Sequence, residues 1–260
     1  MRIGLCTSIT NASAAAEAGF DFIEENVQSL LVPNEPEEAF APNLAAVKSA
    51  PLKTRAANCF VPATLKCTGP DADVDRLGKY AATAFRRAQQ AGIRTIVFGS
   101  GGARQMPAGY EYRLAWNQFL EGLRRIASLA QRHDVTIVIE PLNRGECNFL
   151  NTLKEGADMV MASMNPHVRL LADIYHMRIE GEGPGEIVKQ KRWLHHVHVA
   201  EKEGRFAPGT GGEDFGPYLR ALKEANYEGA ISFECGWKQF PEQAAGSLKG
   251  FREQVDAAGL

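Results

Sequence analysis

Eight short apolar runs alternate with eight helix-like stretches along this chain, and that alternation limits the fold more than any other feature. The runs lie at 3–6, 20–24, 54–60, 95–98, 135–140, 168–173, 194–199 and 230–234. Each has the length and apolar content of a strand. Between and after them the spacing predicts helices at 12–18, 43–50, 73–91, 110–133, 152–161, 184–191, 215–225 and 241–258. Stop and start signals frame several of these. Gly19 and Gly92 stand at C-terminal ends, where a left-handed residue is favoured. Pro42 and Pro51 bracket the second helix. Thr152 and Glu155 form a capping-box pattern. In the third helix Val74, Leu77, Ala81, Ala84, Phe85 and Ala88 recur at helical spacing.

Eight such units in 260 residues match the length of a (β/α)8 TIM barrel, a single domain over 1–260. A doubly wound parallel sheet is the competing architecture. The barrel is preferred because eight units fit the length, and because four of the strand ends carry residues that belong together. Those ends are Glu140, Asp173, His198 and Glu234. A charged residue closing a buried strand is unfavourable without a partner. In a barrel, strand C-termini surround one mouth, where catalysis sits. Strands five to eight would aim three carboxylates and one imidazole into it. That donor set suits Mn²⁺ first, with Mg²⁺ or Co²⁺ as alternatives, and leaves room in an octahedral shell for two substrate oxygens. Structural Zn²⁺ favours sulfur-rich tetrahedral sites.

Bulk properties narrow the function. A formal net charge of −2 lacks the basic footprint of a nucleic-acid binder. No run approaches the roughly 20 apolar residues of a membrane span, and the first residues lead into a strand without a signal-peptide pattern. The five cysteines are odd in number and contain no CxxC pair. They read as reduced thiols of a cytoplasmic protein.

Longer motifs carry a resemblance. Glu140-Pro141-Leu142-Asn143-Arg144 with Glu146, Asp173-x-x-His176, His196-Val197-His198-Val199-Ala200-Glu201 with Arg205, and Ser232-Phe233-Glu234 resemble the xylose-isomerase-like sugar epimerase/isomerase superfamily. The likeness runs toward its D-tagatose 3-epimerase-type and hydroxypyruvate isomerase-type barrels. The segment from Phe60 to Pro70 resembles the loop after strand three in these proteins. The resemblance implies that Glu140, Asp173, His198 and Glu234 hold the metal and that Glu140 and Glu234 are the acid/base pair. It also implies that Glu146, His176 and Arg205 hold the reacting end of a small sugar, and that the chain forms a dimer or tetramer. His198, where the isomerases often carry Gln, points to an epimerase. The spacing from His198 to Arg205 is nearer the isomerase type.

The expected chemistry is proton transfer beside a ketose carbonyl through a metal-bound enediolate, with 3-epimerisation ahead of hydroxypyruvate or other aldose–ketose isomerisation. An endonuclease IV-like phosphodiesterase needs more histidines. Strand alternation turns His195 toward the helices and leaves only His176, His196 and His198 inside. A non-catalytic sugar-binding barrel would have lost the acid/base pair. Glu24, ending strand two, reads either as a contact to a sugar hydroxyl or as an ordinary surface carboxylate. The glycine-rich 99–102 reads as a loop with no helix starting at once.

Overall fold

Strand pairing runs in one direction through the whole chain and closes on itself. A computed structural model describes residues 1–260. The strands are β1 (Arg2–Cys6), β2 (Phe22–Asn26), β3 (Thr54–Asn58), β4 (Thr95–Phe98), β5 (Thr136–Ile139), β6 (Val168–Asp173), β7 (Leu194–Val199) and β8 (Ala230–Phe233). All neighbours are parallel, and β8 returns to β1 to seal the barrel. This is the single-domain TIM barrel that the alternation predicts. No helix is long and apolar enough to cross a membrane.

Side-chain alternation sorts the strands into two faces. Ile96, Phe98, Ile137, Ile139, Leu170, Ala172, Val197 and Val199 join the large apolar layer shared with the helices. Val97, Val138 and Leu171 form a separate small cluster on the opposite face, inside the barrel. Phe22 fills more of that interior, and it needs Gly4 on the adjacent strand. A Cβ at Gly4 would fall 2.3 Å from the Phe22 ring.

Two expectations are corrected. The second helix spans Glu37–Ser49 and contains Pro42 rather than following it. Glu37 and Glu38 occupy its first turn, where carboxylates complement the helix dipole, and this earlier start outweighs one missing amide bond. The second correction concerns His195. Leu194 pairs with Leu170 but His196 pairs with Leu171, so β7 carries one extra residue at His195. Such a bulge breaks strict alternation. His195 Nε2 therefore lies 3.3 Å from Thr95 Oγ1 on β4, which is not a neighbouring strand. The contact crosses the base of the barrel, so His195 faces inward and not toward the helices.

Candidate metal centre and active site

The barrel holds two sizeable hollows at opposite ends. The larger, about 560 Å³, opens at the N-terminal end between Arg2, Arg55 and His195. The other, about 320 Å³, lies at the C-terminal mouth and is lined by Glu140, Glu146, His176, Arg205 and Glu234, with Gln28, Cys59 and the 100–102 turn. Catalysis in this fold belongs to the C-terminal mouth. The smaller hollow is thus the candidate active site.

Each strand-end residue reaches that mouth by a local cause. Asp173 ends β6 and caps the helix Ile174–Glu180, its Oδ1 accepting from the amides of Tyr175 and His176. The cap is worth about 1 kcal/mol and aims Oδ2 into the mouth. Glu140 follows β5 directly. Its backbone carbonyl accepts from Arg104 Nη2 at 2.9 Å. Its carboxylate occupies space kept open by Gly99, where a Cβ would sit 2.0 Å from Oε2. Glu234 follows β8 and accepts at Oε1 from Asn58 Nδ2 at 3.0 Å and at Oε2 from Arg205. His198 on β7 is fully buried, and its Nε2 lies 2.8 Å from Glu24 Oε1.

One ligand atom from each of Glu140, Asp173, His198 and Glu234 lies within 4.8 Å of the others. Three of these atoms are buried without any hydrogen-bond partner: Glu140 Oε1, Asp173 Oδ2 and His198 Nδ1. His198 Nδ1 is 3.3 Å from Glu140 Oε1 and 3.5 Å from Glu234 Oε2. Buried polar atoms are rarely left unpaired. Three that converge on one point fit a divalent cation held by mixed oxygen and imidazole donors.

The charge state fits as well. Burial alone would push the His198 imidazole down, but the Glu24 and Glu234 carboxylates hold it well above its ordinary value. A cation held at His198 Nδ1 would take the place of that proton. Burial, and then the neighbouring Glu234, raise Glu140. Glu234 is drawn to about 2 against burial by His198 and Arg205.

The residues expected to grip substrate gather beside this cluster. His176 Nδ1 accepts from the backbone and side-chain amides of Asn143 at 3.3 and 2.8 Å, which leaves the proton on Nε2. Nε2 is 3.5 Å from Asp173 Oδ2. Arg205 has left-handed backbone, φ 52, and its guanidinium lies 4.6 Å over the Tyr175 ring. It donates to Glu146 Oε1 at 3.2 Å and to Glu234. The loop carrying Arg205 is tied to the buried Glu201, which accepts the amides of Gly209, Gly211, Gly212 and Glu213.

The sequence reading missed several supports. Glu24 is neither a surface carboxylate nor a sugar contact. It is fully buried and bridges His196 Nε2 and His198 Nε2, each at 2.8 Å. Both rings must donate to it, which fixes the tautomer that turns the His198 Nδ1 lone pair toward the cluster. Asn58 and Asn143 gave no signal beyond standing at or after strand ends. Arg104 lies in a one-turn helix, Gly101–Arg104, that does begin at the glycine-rich turn.

The comparisons agree with the barrel. Residues 12–254 match the family model described as xylose isomerase-like TIM barrel. The L-ribulose 3-epimerase of Methylomonas sp. strain DH-1 is 29% identical over 226 residues, 85% of this chain and 76% of that protein. The 3-dehydro-D-guloside 4-epimerase of Escherichia coli K12 is 32% identical over 115 residues, so the match spans only 44% of each chain. The crystal structure of 3-keto-D-glucoside 4-epimerase from E. coli superposes with a TM-score of 0.82 at 25% identity, covering 97% of this chain and 99% of that one. With 243 residues, 12 to 254, matched to one family model, the chain belongs to the xylose isomerase-like TIM barrel family.

Proposed function

We propose that the chain is a divalent-cation-dependent sugar epimerase that moves a proton beside a ketose carbonyl, with 3-epimerisation as its reaction. The observation that carries this reading is the convergence of three unpartnered buried ligand atoms on Glu140, Asp173 and His198, with Glu234 beside them. Those four residues would hold the cation, Mn²⁺ in the first instance. When bound, it supplies Lewis-acid polarisation of the carbonyl and so acidifies the adjacent C–H. The relatives' names describe epimerases, which supports the reaction class.

The chain's own residues account for the rest. Inverting a carbon next to a carbonyl needs a base on one face and an acid on the other. Glu140 and Glu234 arrive from β5 and β8, on either side of His198, and are the acid/base pair. Which one removes the proton depends on the substrate's starting configuration. Arg205 and the His176 Nε2–H donate toward the oxygen on which negative charge develops, where fixed donors act most strongly. Glu146, held by Asn143 and Arg205, is placed to accept from a sugar hydroxyl. Asn58 fixes the rotamer of Glu234. Returning the proton to the neighbouring carbon instead would give aldose–ketose isomerisation, and the His198-to-Arg205 spacing keeps that outcome within the test. A small sugar substrate, a cytoplasmic setting compatible with five free thiols, and a dimer or tetramer complete the proposal.

The acid/base assignment is tested with Glu140→Gln and Glu234→Gln. Each is expected to lower kcat by at least the 10²–10⁴-fold typical of a lost general acid or base. If both variants keep full ketose turnover, the assignment is wrong.

A further inference from the structure

One hollow in the molecule plays no part in the proposed chemistry. It lies at the N-terminal end of the barrel, opposite the candidate metal centre, with a volume of about 560 Å³. That is within the roughly 300–1,000 Å³ range of small-molecule sites. Arg2, Arg55, Arg94 and Lys191 line it, against a single carboxylate, Glu228. The chain as a whole is slightly acidic, at −2, so this is a local excess.

Only one of these four cations has a counter-charge within ion-pair distance. Arg94 pairs with Asp134 at 3.0 Å. Arg2, Arg55 and Lys191 enter no ion pair in the structure. Like charges held around one concavity repel, and the field they focus there attracts anions. The excess extends behind the wall. Arg169, bonded to the Arg192 carbonyl, is pushed down by burial and then by the Arg192 charge. His195 is held down to about 4 by burial, His196 and Arg169, so it presents a neutral imidazole at the cavity wall. Phe22, Ala56 and Leu194 add apolar surface.

We propose that this cavity, with the unpaired Arg2, Arg55 and Lys191 around it, is a binding site for a small phosphate-bearing anion, distinct from the candidate metal centre. Two guanidinium forks match phosphate oxygens in pairs, and the ammonium adds a point charge. Together they suit a group carrying more than one negative charge. The apolar wall and the volume leave room for an organic body attached to the phosphate.

The test is calorimetric titration of the metal-loaded protein, free of excess metal, in about 0.1 M salt, where weak surface attraction is screened. The probes are inorganic phosphate, pyrophosphate and glucose 6-phosphate, with glucose as the uncharged control. The double variant Arg55→Ser/Lys191→Ser is titrated in parallel. Both residues are exposed and remote from the metal centre, and circular dichroism together with the unfolding midpoint checks the fold. The single variant Lys191→Ser is carried alongside in case the double variant is destabilised. Saturable binding of a phosphate probe that weakens at least tenfold in the double variant, or severalfold in the single one, with no response to glucose, supports the site. Tighter binding of glucose 6-phosphate would identify a phosphorylated metabolite as the ligand class. Equal binding of inorganic phosphate would identify the free anion. No saturable binding of any phosphate probe, or binding of equal strength in wild type and variants, overturns the proposal.

Discussion

Replacing Glu24 by Gln tests how the cluster is held together without touching any of its four members. Glu24 is fully buried and accepts from His196 Nε2 and His198 Nε2, both at 2.8 Å. Its carboxyl is held well below the usual range, because the two imidazoles outweigh the effect of burial. Glutamine keeps the shape but offers one acceptor oxygen and one NH₂ group. The amide can accept from only one ring. The other ring must then accept at Nε2, which moves its proton to Nδ1. With the NH₂ toward His198, that proton points into the cluster and blocks the ligand lone pair; with the NH₂ toward His196, His198 keeps its tautomer but loses the anionic partner that raises the basicity of Nδ1. Each charge-assisted bond contributes about 1.5–3 kcal/mol, so the expected loss of stability is about 2 kcal/mol, within reach of urea unfolding. Outer-shell partners of metal-bound histidines typically contribute 10–100-fold in affinity. The assay is competition of protein against a chelating dye for Mn²⁺. The variant is expected to bind Mn²⁺ at least tenfold more weakly while remaining folded. Unchanged Mn²⁺ affinity in a folded Glu24→Gln protein would refute the reasoning.

Two further perturbations follow from the geometry. Gly99→Ala places a Cβ 2.0 Å from Glu140 Oε2. The carboxylate must move, and a misplacement near 1 Å corresponds to roughly 10²-fold in rate. Ketose turnover should fall by that order with the circular dichroism unchanged, whereas full activity would mean that the Glu140 position is not critical. Glu182 accepts from the Leu153 amide, yet its pKa is raised to about 7, by burial first and then by Glu186, Glu155 and Glu180. Its folded-state value lies above the unfolded one, so the folded state holds the proton more tightly, and stability falls as pH rises from about 4.3 through 7. Discounted for solvent exposure, the effect is about 1 kcal/mol. Glu182→Gln should flatten that fall in pH-dependent unfolding curves, and parallel curves would contradict it.

What could be read from the sequence follows from how far each signal reaches. A polar residue closing an apolar run is a local pattern, so Glu140, Asp173, His198 and Glu234 were visible, and their convergence followed from the barrel. The partner of Glu24 was not visible. The bond from β2 to β7 crosses the barrel, and no spacing rule gives contacts between strands 172 residues apart. Strict alternation turns His195 the wrong way because a one-residue bulge leaves no mark in the sequence. The helix start at Glu37 was hidden by Pro42, which reads more naturally as a first-turn residue. The helix Ile174–Glu180 is hidden because Asp173 is at once the last residue of β6 and the cap of the helix. Arg104 sits in a segment that looks like a plain glycine-rich loop, yet it is fully buried beneath Glu140.

Proton transfer at C3 in the cation-loaded mouth is the step on which the proposed function rests. The direct measurement is turnover in deuterated water with added Mn²⁺, across free ketoses, ketose phosphates and hydroxypyruvate, followed by NMR. Deuterium is expected at C3 of a ketose together with its C3 epimer; both are lost when Mn²⁺ is removed, and epimer formation falls by about 10²–10⁴-fold or more in Glu140→Gln. Deuterium at C1 or C2 with an aldehyde product would contradict the 3-epimerase reading and make the protein an aldose–ketose isomerase. Absence of exchange into any of these compounds, with Mn²⁺ bound, would contradict the proposed chemistry altogether.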